Sequence, residues 1–371
     1  MSEKIQISPH SARKAGIDRR ELLQRSMVTT GAGALMGELG GAAPSSGPRE
    51  DPVRIDAHAH CFPVEYLDLL ERYGGRKLLA NLRSLTIASG EPRSLEARFG
   101  MMDRAGVDMQ VLSLSFLLPY LENESNAVDA ARLGNDLFAE IVHQYPKRFA
   151  AFACTPLPHI DASITEMHRA FDDLGMVGVT ATTFVLERSI ADPAFEPFFA
   201  ELNRHKAVLF IHPTGGAGDS KLLQTTRLTW PIGAPLEDTI ILLQMVQAEF
   251  PKRFPDVKII LCHLGGFAPF LMARFDQLRD QYLPNDATPP SIQAKHFWYD
   301  SVNANPSALA CACEVCGSDR ILLGTDFPYW IDDAYQLGVD YVKKAGLSMQ
   351  DVDGILGGNA QQLLGLQLPK A

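Results

Sequence analysis

The sequence predicts a (β/α)8 TIM barrel, and three observations carry that prediction. Eight short apolar or β-branched runs recur after residue 52, separated by longer segments whose apolar residues recur at helical spacing. The runs are apolar almost throughout rather than alternating, as in a parallel sheet covered on both faces. Eight strand–helix repeats in about 320 residues fit a closed barrel better than an open doubly wound sheet. No GxGxxG follows a strand to favour a dinucleotide fold.

The first run, VRIDAHAH (53–60), ends on two histidines. Residues 61–100 then make too long a connection for a simple strand-to-helix turn, so an insertion that helps build a pocket is expected there. VDMQVLSLS (107–115) is the second run, and ESNAVDAARLGNDLFAEIVHQYP reads as the helix behind it. FAAFACT (149–155) and VGVTATT (177–183) are the third and fourth. PAFEPFFAELNRHK reads as one helix before the fifth, AVLFIHP (207–213). EDTIILLQMVQAEFPKRF reads as one helix before the sixth, VKIILCH (257–263). FWYDS (297–301) and RILLGTD (320–326) complete the set.

Bulk properties exclude several classes. The chain has 371 residues, 46% hydrophobic and 21% charged, in the range of soluble globular proteins. A net charge of -10 without a long basic run argues against a nucleic-acid partner. Six cysteines are too few for a disulfide scaffold at this length. Cys311, Cys313 and Cys316 lie in PSALACACEVCGSD, an Ala-rich helix on which those positions do not share a face, so they read as packed small residues. No apolar stretch reaches the ~20 residues needed to span a bilayer.

Residues 1–50 read as a leader or linker and 51–371 as the barrel domain. DRRELLQ, then SMVTTGAGALMGELGGAA and PSSGPRED, resemble a bacterial twin-arginine export signal. Asp18, Leu22 and Gln24 depart from the usual residues, and Glu38 interrupts the apolar region. A leader of this kind implies a periplasmic protein that begins near Asp51. The alternative is a cytoplasmic chain whose flexible extension carries a short helix over 18–27.

In barrels of this kind active sites sit at the C-terminal ends of the strands. His58 and His60 end the first run, His212 the fifth, His263 the sixth and Asp326 the eighth. The other histidines, at 10, 143, 159, 168, 205 and 296, fall in the leader, helices or loops. Two histidines two apart in a strand leave the same face and present paired imidazoles, as a borderline metal requires. A carboxylate after an apolar run needs a cation or several donors. Three histidines and a carboxylate suit a catalytic metal with an open position.

HAH, a histidine ending the fifth strand, HxGG after the sixth and GTDxP after the eighth together resemble the amidohydrolase superfamily. Within it, residues 53–366 are similar to the branch of aminocarboxymuconate-semialdehyde decarboxylase, including RFGMMDRAGVDMQVLS (98–113). The resemblance implies that His58, His60, His212 and Asp326 hold one divalent ion, Zn2+ before Mn2+, and that His263 stands beside the water on that ion. It implies that Arg274, eleven residues after His263, binds a substrate carboxylate across a homodimer interface. The fourth run offers no lysine to be carboxylated, which argues against a two-metal site. Trp230, in the long loop after the fifth strand, is a candidate cover for a flat substrate. Arg98 is a further candidate for substrate contact.

The expected enzyme is a metal-dependent carboxy-lyase acting on a small unsaturated or aromatic carboxylate. The ion would lower the pKa of its water toward ~7, and His263 would move the proton. The same five residues would serve a hydrolase of a lactone, ester or amide. A binding protein with a structural metal is the non-enzymatic rival, though such sites favour closed, thiolate-rich coordination.

Overall fold

The computed structural model describes residues 52–74, 82–216 and 220–366, so the leader, with the helix expected over 18–27, lies outside the described residues. Eight strands form one sheet in chain order: β1 (Ile55–His60), β2 (Met109–Ser113), β3 (Phe149–Ala153), β4 (Gly178–Thr182), β5 (Val208–His212), β6 (Lys258–Leu261), β7 (Trp298–Asp300) and β8 (Ile321–Leu322). Every neighbouring pair is parallel. Beyond β8 the chain stays extended and closes the ring onto β1. Ala57 N–H donates to Leu323 O at 2.8 Å, Asp326 N–H to His58 O at 3.0 Å, and His60 N–H to Phe327 O at 2.7 Å. The expected barrel is present.

Side chains two apart on the strands divide into two apolar layers, as the pleat dictates. Met109 and Val111, Ala150 and Phe152, Val208 and Phe210, and Ile260 and Cys262 fill one cluster, joined by Ala360, Leu363 and Leu364 of the last helix. Intervening residues such as Leu112, Ala151, Leu209 and Leu261 pack in the larger cluster, which extends into the surrounding helices. Burying these side chains stabilises the barrel by roughly 25 cal/mol for each Å² removed from water. Phe210 follows the first pattern upward to His212, so the same alternation that fills the barrel aims that histidine at its mouth.

Two expected helices are broken. Helix Ala234–Gln247 stops, Glu249 takes a left-handed φ of 51°, and a short helix Phe250–Arg253 follows with Pro251 in its first turn. Pro251 has no N–H to continue the ladder. A 3-10 turn, Pro193–Phe195, likewise precedes helix Glu196–Arg204. The insertion after β1 holds helix Val64–Arg72, a 3-10 turn at Thr86–Ala88 and helix Pro92–Ala105. Helix Pro306–Cys316 carries Cys311, Cys313 and Cys316, and none of them joins a potential metal-holding group among the described residues. No described helix is long and apolar enough to cross a membrane.

Candidate metal centre

His58 and His60 from β1, His212 from β5 and Asp326 from the turn after β8 converge so that one ligand atom from each lies within 4.8 Å of all the others. His58 Nε2 is 3.2 Å from His60 Nε2 and 3.3 Å from Asp326 Oδ1, and His60 Nε2 is 2.9 Å from Asp326 Oδ1. Local backbone brings them there. Asp326 adopts a left-handed φ of 58°, strained for a residue with a Cβ, which turns its carboxylate back over β1. Asp56 steadies that turn by accepting Thr325 N–H at 3.0 Å and Thr325 Oγ1–H at 2.7 Å. Gly324 permits the approach, since a Cβ there would lie 3.0 Å from His58 Cβ and 2.9 Å from Asp300 Cβ.

Hydrogen bonds on the far side of two rings fix their tautomers. His58 Nδ1 is 2.7 Å from Asp300 Oδ2, and His212 Nδ1 is 2.7 Å from the Pro213 carbonyl. Both oxygens accept, so both Nδ1 atoms carry hydrogen and each ring turns Nε2 inward, as a lone pair at His212 and, once its second proton is displaced, at His58. His212 Nε2 is buried with no hydrogen-bond partner. Burial, followed by the neighbouring imidazoles, holds His212 well below the usual histidine range. Burial and His58 also push His60 down. At His58 burial is outweighed by Asp300 and Asp326, and the pKa rises to about 10. Burial alone would raise Asp326, but its bonds to His58 and His60 hold it well below the carboxylate range. Inward lone pairs, a buried orphan nitrogen and an ionised carboxylate fit a divalent cation, and this imidazole-rich set suits a borderline ion.

His263 stands beside this cluster and outside it, its ring centroid 5.5 Å from that of His58 and 5.9 Å from that of His212. Its Nδ1 is 2.8 Å from Asp238 Oδ2, and its backbone N–H donates to Asp300 Oδ1 at 2.9 Å. Gly266 lets helix Ala234–Gln247 come close enough to supply Asp238, since a Cβ there would meet Pro235 O at 1.9 Å. Burial lowers the His263 pKa, but the charge and hydrogen bond of Asp238, then Asp300 and Asp326, raise it overall.

Above these groups opens a cavity of about 590 Å³ whose lining includes His212, His263 and Asp326. Phe116, Trp230, Tyr329 and Trp330 wall it, with the Phe116 and Trp230 ring centroids 4.9 Å apart. Trp230 thus lines the cavity. Arg98 does not. It is fully buried, donates to the His60 carbonyl at 2.5 Å and lies 4.1 Å from the Phe327 ring centroid, so it braces β1 from behind instead of meeting a substrate. Arg274 is exposed on helix Ala268–Leu278 and lines no part of the cavity. Cys61 is packed in the core. Among the described residues, the cavity lining contains no lysine or arginine.

Sequence reasoning missed Asp300 and Asp238. The signal for Asp300 is in FWYDS, a strand that ends on a carboxylate as RILLGTD does. Asp238 follows Glu237 at the end of the first turn of an apolar helix, where acidic residues read as ordinary helix-dipole chemistry.

Residues 55–366 match the family described as amidohydrolase. The chain is 28% identical over 334 residues to a 2-amino-3-carboxymuconate-6-semialdehyde decarboxylase of Dictyostelium discoideum, covering 85% of this chain and 92% of that one. It is 29% identical over 259 residues to a gamma-resorcylate decarboxylase of Rhizobium radiobacter, covering 63% and 76%. Among solved structures, a dihydroxybenzoic acid decarboxylase from Polaromonas with bound manganese and 2-nitroresorcinol superposes with a TM-score of 0.72 over 86% of this chain and 99% of that one. At 24% identity this last likeness is one of fold.

Proposed function

Because this chain belongs to the amidohydrolase family, we propose that it is a metal-dependent carboxy-lyase that releases carbon dioxide from a small aromatic or unsaturated carboxylate. The observation that carries the reading is the aromatic-walled cavity that ends on the histidine–aspartate cluster, with His263 at its side. Phe116 and Trp230 offer ring faces to a flat substrate. The curated relatives named above are decarboxylases.

His58, His60, His212 and Asp326 would hold the ion. When bound, it supplies Lewis acidity toward oxygen groups of the substrate. Zinc suits the three imidazoles, and manganese, present in the Polaromonas structure, is the alternative. Asp300 and the Pro213 carbonyl orient their rings so that Nε2 of each faces the ion. His263 carries the proton chemistry from Nε2, the nitrogen not engaged by Asp238. In decarboxylation the electrons of the broken carbon–carbon bond remain on the substrate carbon, which takes up a proton as carbon dioxide leaves. His263, whose protonated form Asp238 favours, supplies that proton. The aromatic walls exclude water from the reacting carbon.

Arg274 belongs to the proposal through the homodimer implied by the resemblance. Exposed on one chain beside exposed Phe270, it would meet substrate carboxylate in a partner's cavity. For residues 1–50 we retain the export-signal reading, which cell fractionation of the full-length chain tests.

The test is carbon dioxide release from a panel of hydroxybenzoates and unsaturated carboxylates, run beside a panel of lactones and esters. Release from at least one carboxylate is expected. Opening of a lactone or ester with no carbon dioxide from any acid would replace the lyase reading by a hydrolase.

A further inference from the structure

His168 and His205, two histidines outside the strand ends, meet on the outer surface of the barrel. His168 lies on helix Ile160–Asp172, which follows β3; Glu201 lies on helix Glu196–Arg204, which follows β4, and His205 caps that helix. Glu201 and His205 are four apart, so they share a helix face. One atom from each of His168, Glu201 and His205 lies within 4.8 Å of the other two. His168 Nε2 touches Glu201 Oε1, and His205 Nε2 is 3.2 Å from the same oxygen.

A cation already occupies the point these atoms share. Arg204 Nη2 reaches Glu201 Oε1, lies 2.6 Å from His205 Nε2 and 3.4 Å from His168 Nε2. That arrangement is frustrated. A ring nitrogen bearing hydrogen suits Glu201 but opposes the guanidinium N–H, and a bare nitrogen suits Arg204 but faces the carboxylate lone pairs. A metal ion accepts two imidazole lone pairs and a carboxylate oxygen together and removes the conflict. The Arg204 side chain is 61% exposed and can swing into water. The three donors are partly exposed, so solvent ions reach them.

We infer that His168, Glu201 and His205 form a second metal site, specific for a borderline divalent ion such as Zn2+, that clamps the helices following β3 and β4. Two imidazoles and one carboxylate are a zinc-type ligand set, with remaining positions open to water. The site is separate from the cavity and does not depend on the proposed reaction.

The full-length protein is stripped with chelator, re-equilibrated with micromolar free Zn2+ and assayed for bound zinc by mass spectrometry. Wild type is expected to retain one zinc more than the His168→Gln/His205→Gln double variant, with unchanged turnover. Arg204→Ala is expected to bind that zinc more tightly, because the competing guanidinium is gone. Equal zinc in wild type and double variant overturns the inference, as does uptake of the extra zinc only at millimolar concentration, an adventitious ion only. Asp326→Asn separates the two sites. If it loses no zinc while the double variant does, the central assignment fails and the surface site stands.

Discussion

Two groups of histidines share the mouth of the barrel and are held differently. His58 and His212 have their outer nitrogens committed to Asp300 and Pro213, and with His60 they turn inner nitrogens toward Asp326. His263 has one nitrogen on Asp238 and the other free toward the cavity, and its surroundings raise its pKa where those of His60 and His212 lower theirs. His60 and His212 are thus held as lone-pair donors and His263 as a proton carrier, while His58, which meets both Asp300 and Asp326, must give up a proton to an incoming ion. The difference lies in the far-side partner and in how many carboxylates each ring meets.

The largest expected effect comes from breaking the first group. Asp326→Ala should lose both bound metal and turnover, with metal content measured on the purified protein. His263→Gln should keep the metal while turnover falls by roughly 10²- to 10⁴-fold, the usual contribution of a general acid or base. If both variants lose metal equally, the division of labour is wrong.

Asp300→Asn leaves every proposed ligand in place and removes the charge behind His58. Metal affinity should weaken about 10- to 100-fold, as for other partners of metal-bound histidines. Competition with a chromophoric chelator measures it. An affinity equal to wild type would mean that Asp300 does not orient His58.

Asp238→Asn is smaller and acts through pH. Asp238 raises His263, so its loss lowers the pKa of that ring. A proton donor loses activity as pH rises through its pKa, so the alkaline limb of the rate profile should move to lower pH. A limb that stays in place, or moves to higher pH, would place the donor elsewhere.

The smallest effect is a proton count. His58 without an ion has a pKa of about 10, so at pH 8 it holds a proton that an incoming cation must displace. Binding should then release about one proton per ion, a release that fades as pH passes that pKa. Calorimetry in buffers of different ionisation enthalpy reads the count directly. No release at pH 8 would mean that the site is unprotonated before loading.

The contrast also explains what could be read from the sequence. The ligand candidates were legible because a barrel gathers strand ends, and His58, His60, His212, His263 and Asp326 all end apolar runs. The supporting carboxylates depend on which elements pack together. Asp238 reaches His263 only because Gly266 admits helix Ala234–Gln247 at close range. Arg98 shows the converse error. A basic residue near the strand ends suggested substrate binding, yet its helix packs behind β1 and directs the guanidinium to the His60 carbonyl. The β8 run also proved shorter as a strand than expected, because Gly324, Thr325 and Asp326 leave the regular ladder to form the turn that carries the carboxylate.

The central claim is that carboxylate cleavage in this chain depends on an ion at the His58, His60, His212 and Asp326 cluster. Carbon dioxide release from the best carboxylate of the panel should be measured before chelation, after chelation and after return of Zn2+ or Mn2+. The account predicts release that disappears with the ion and returns with it in wild type, but does not return in Asp326→Ala. Release that persists undiminished in fully metal-free protein would contradict it.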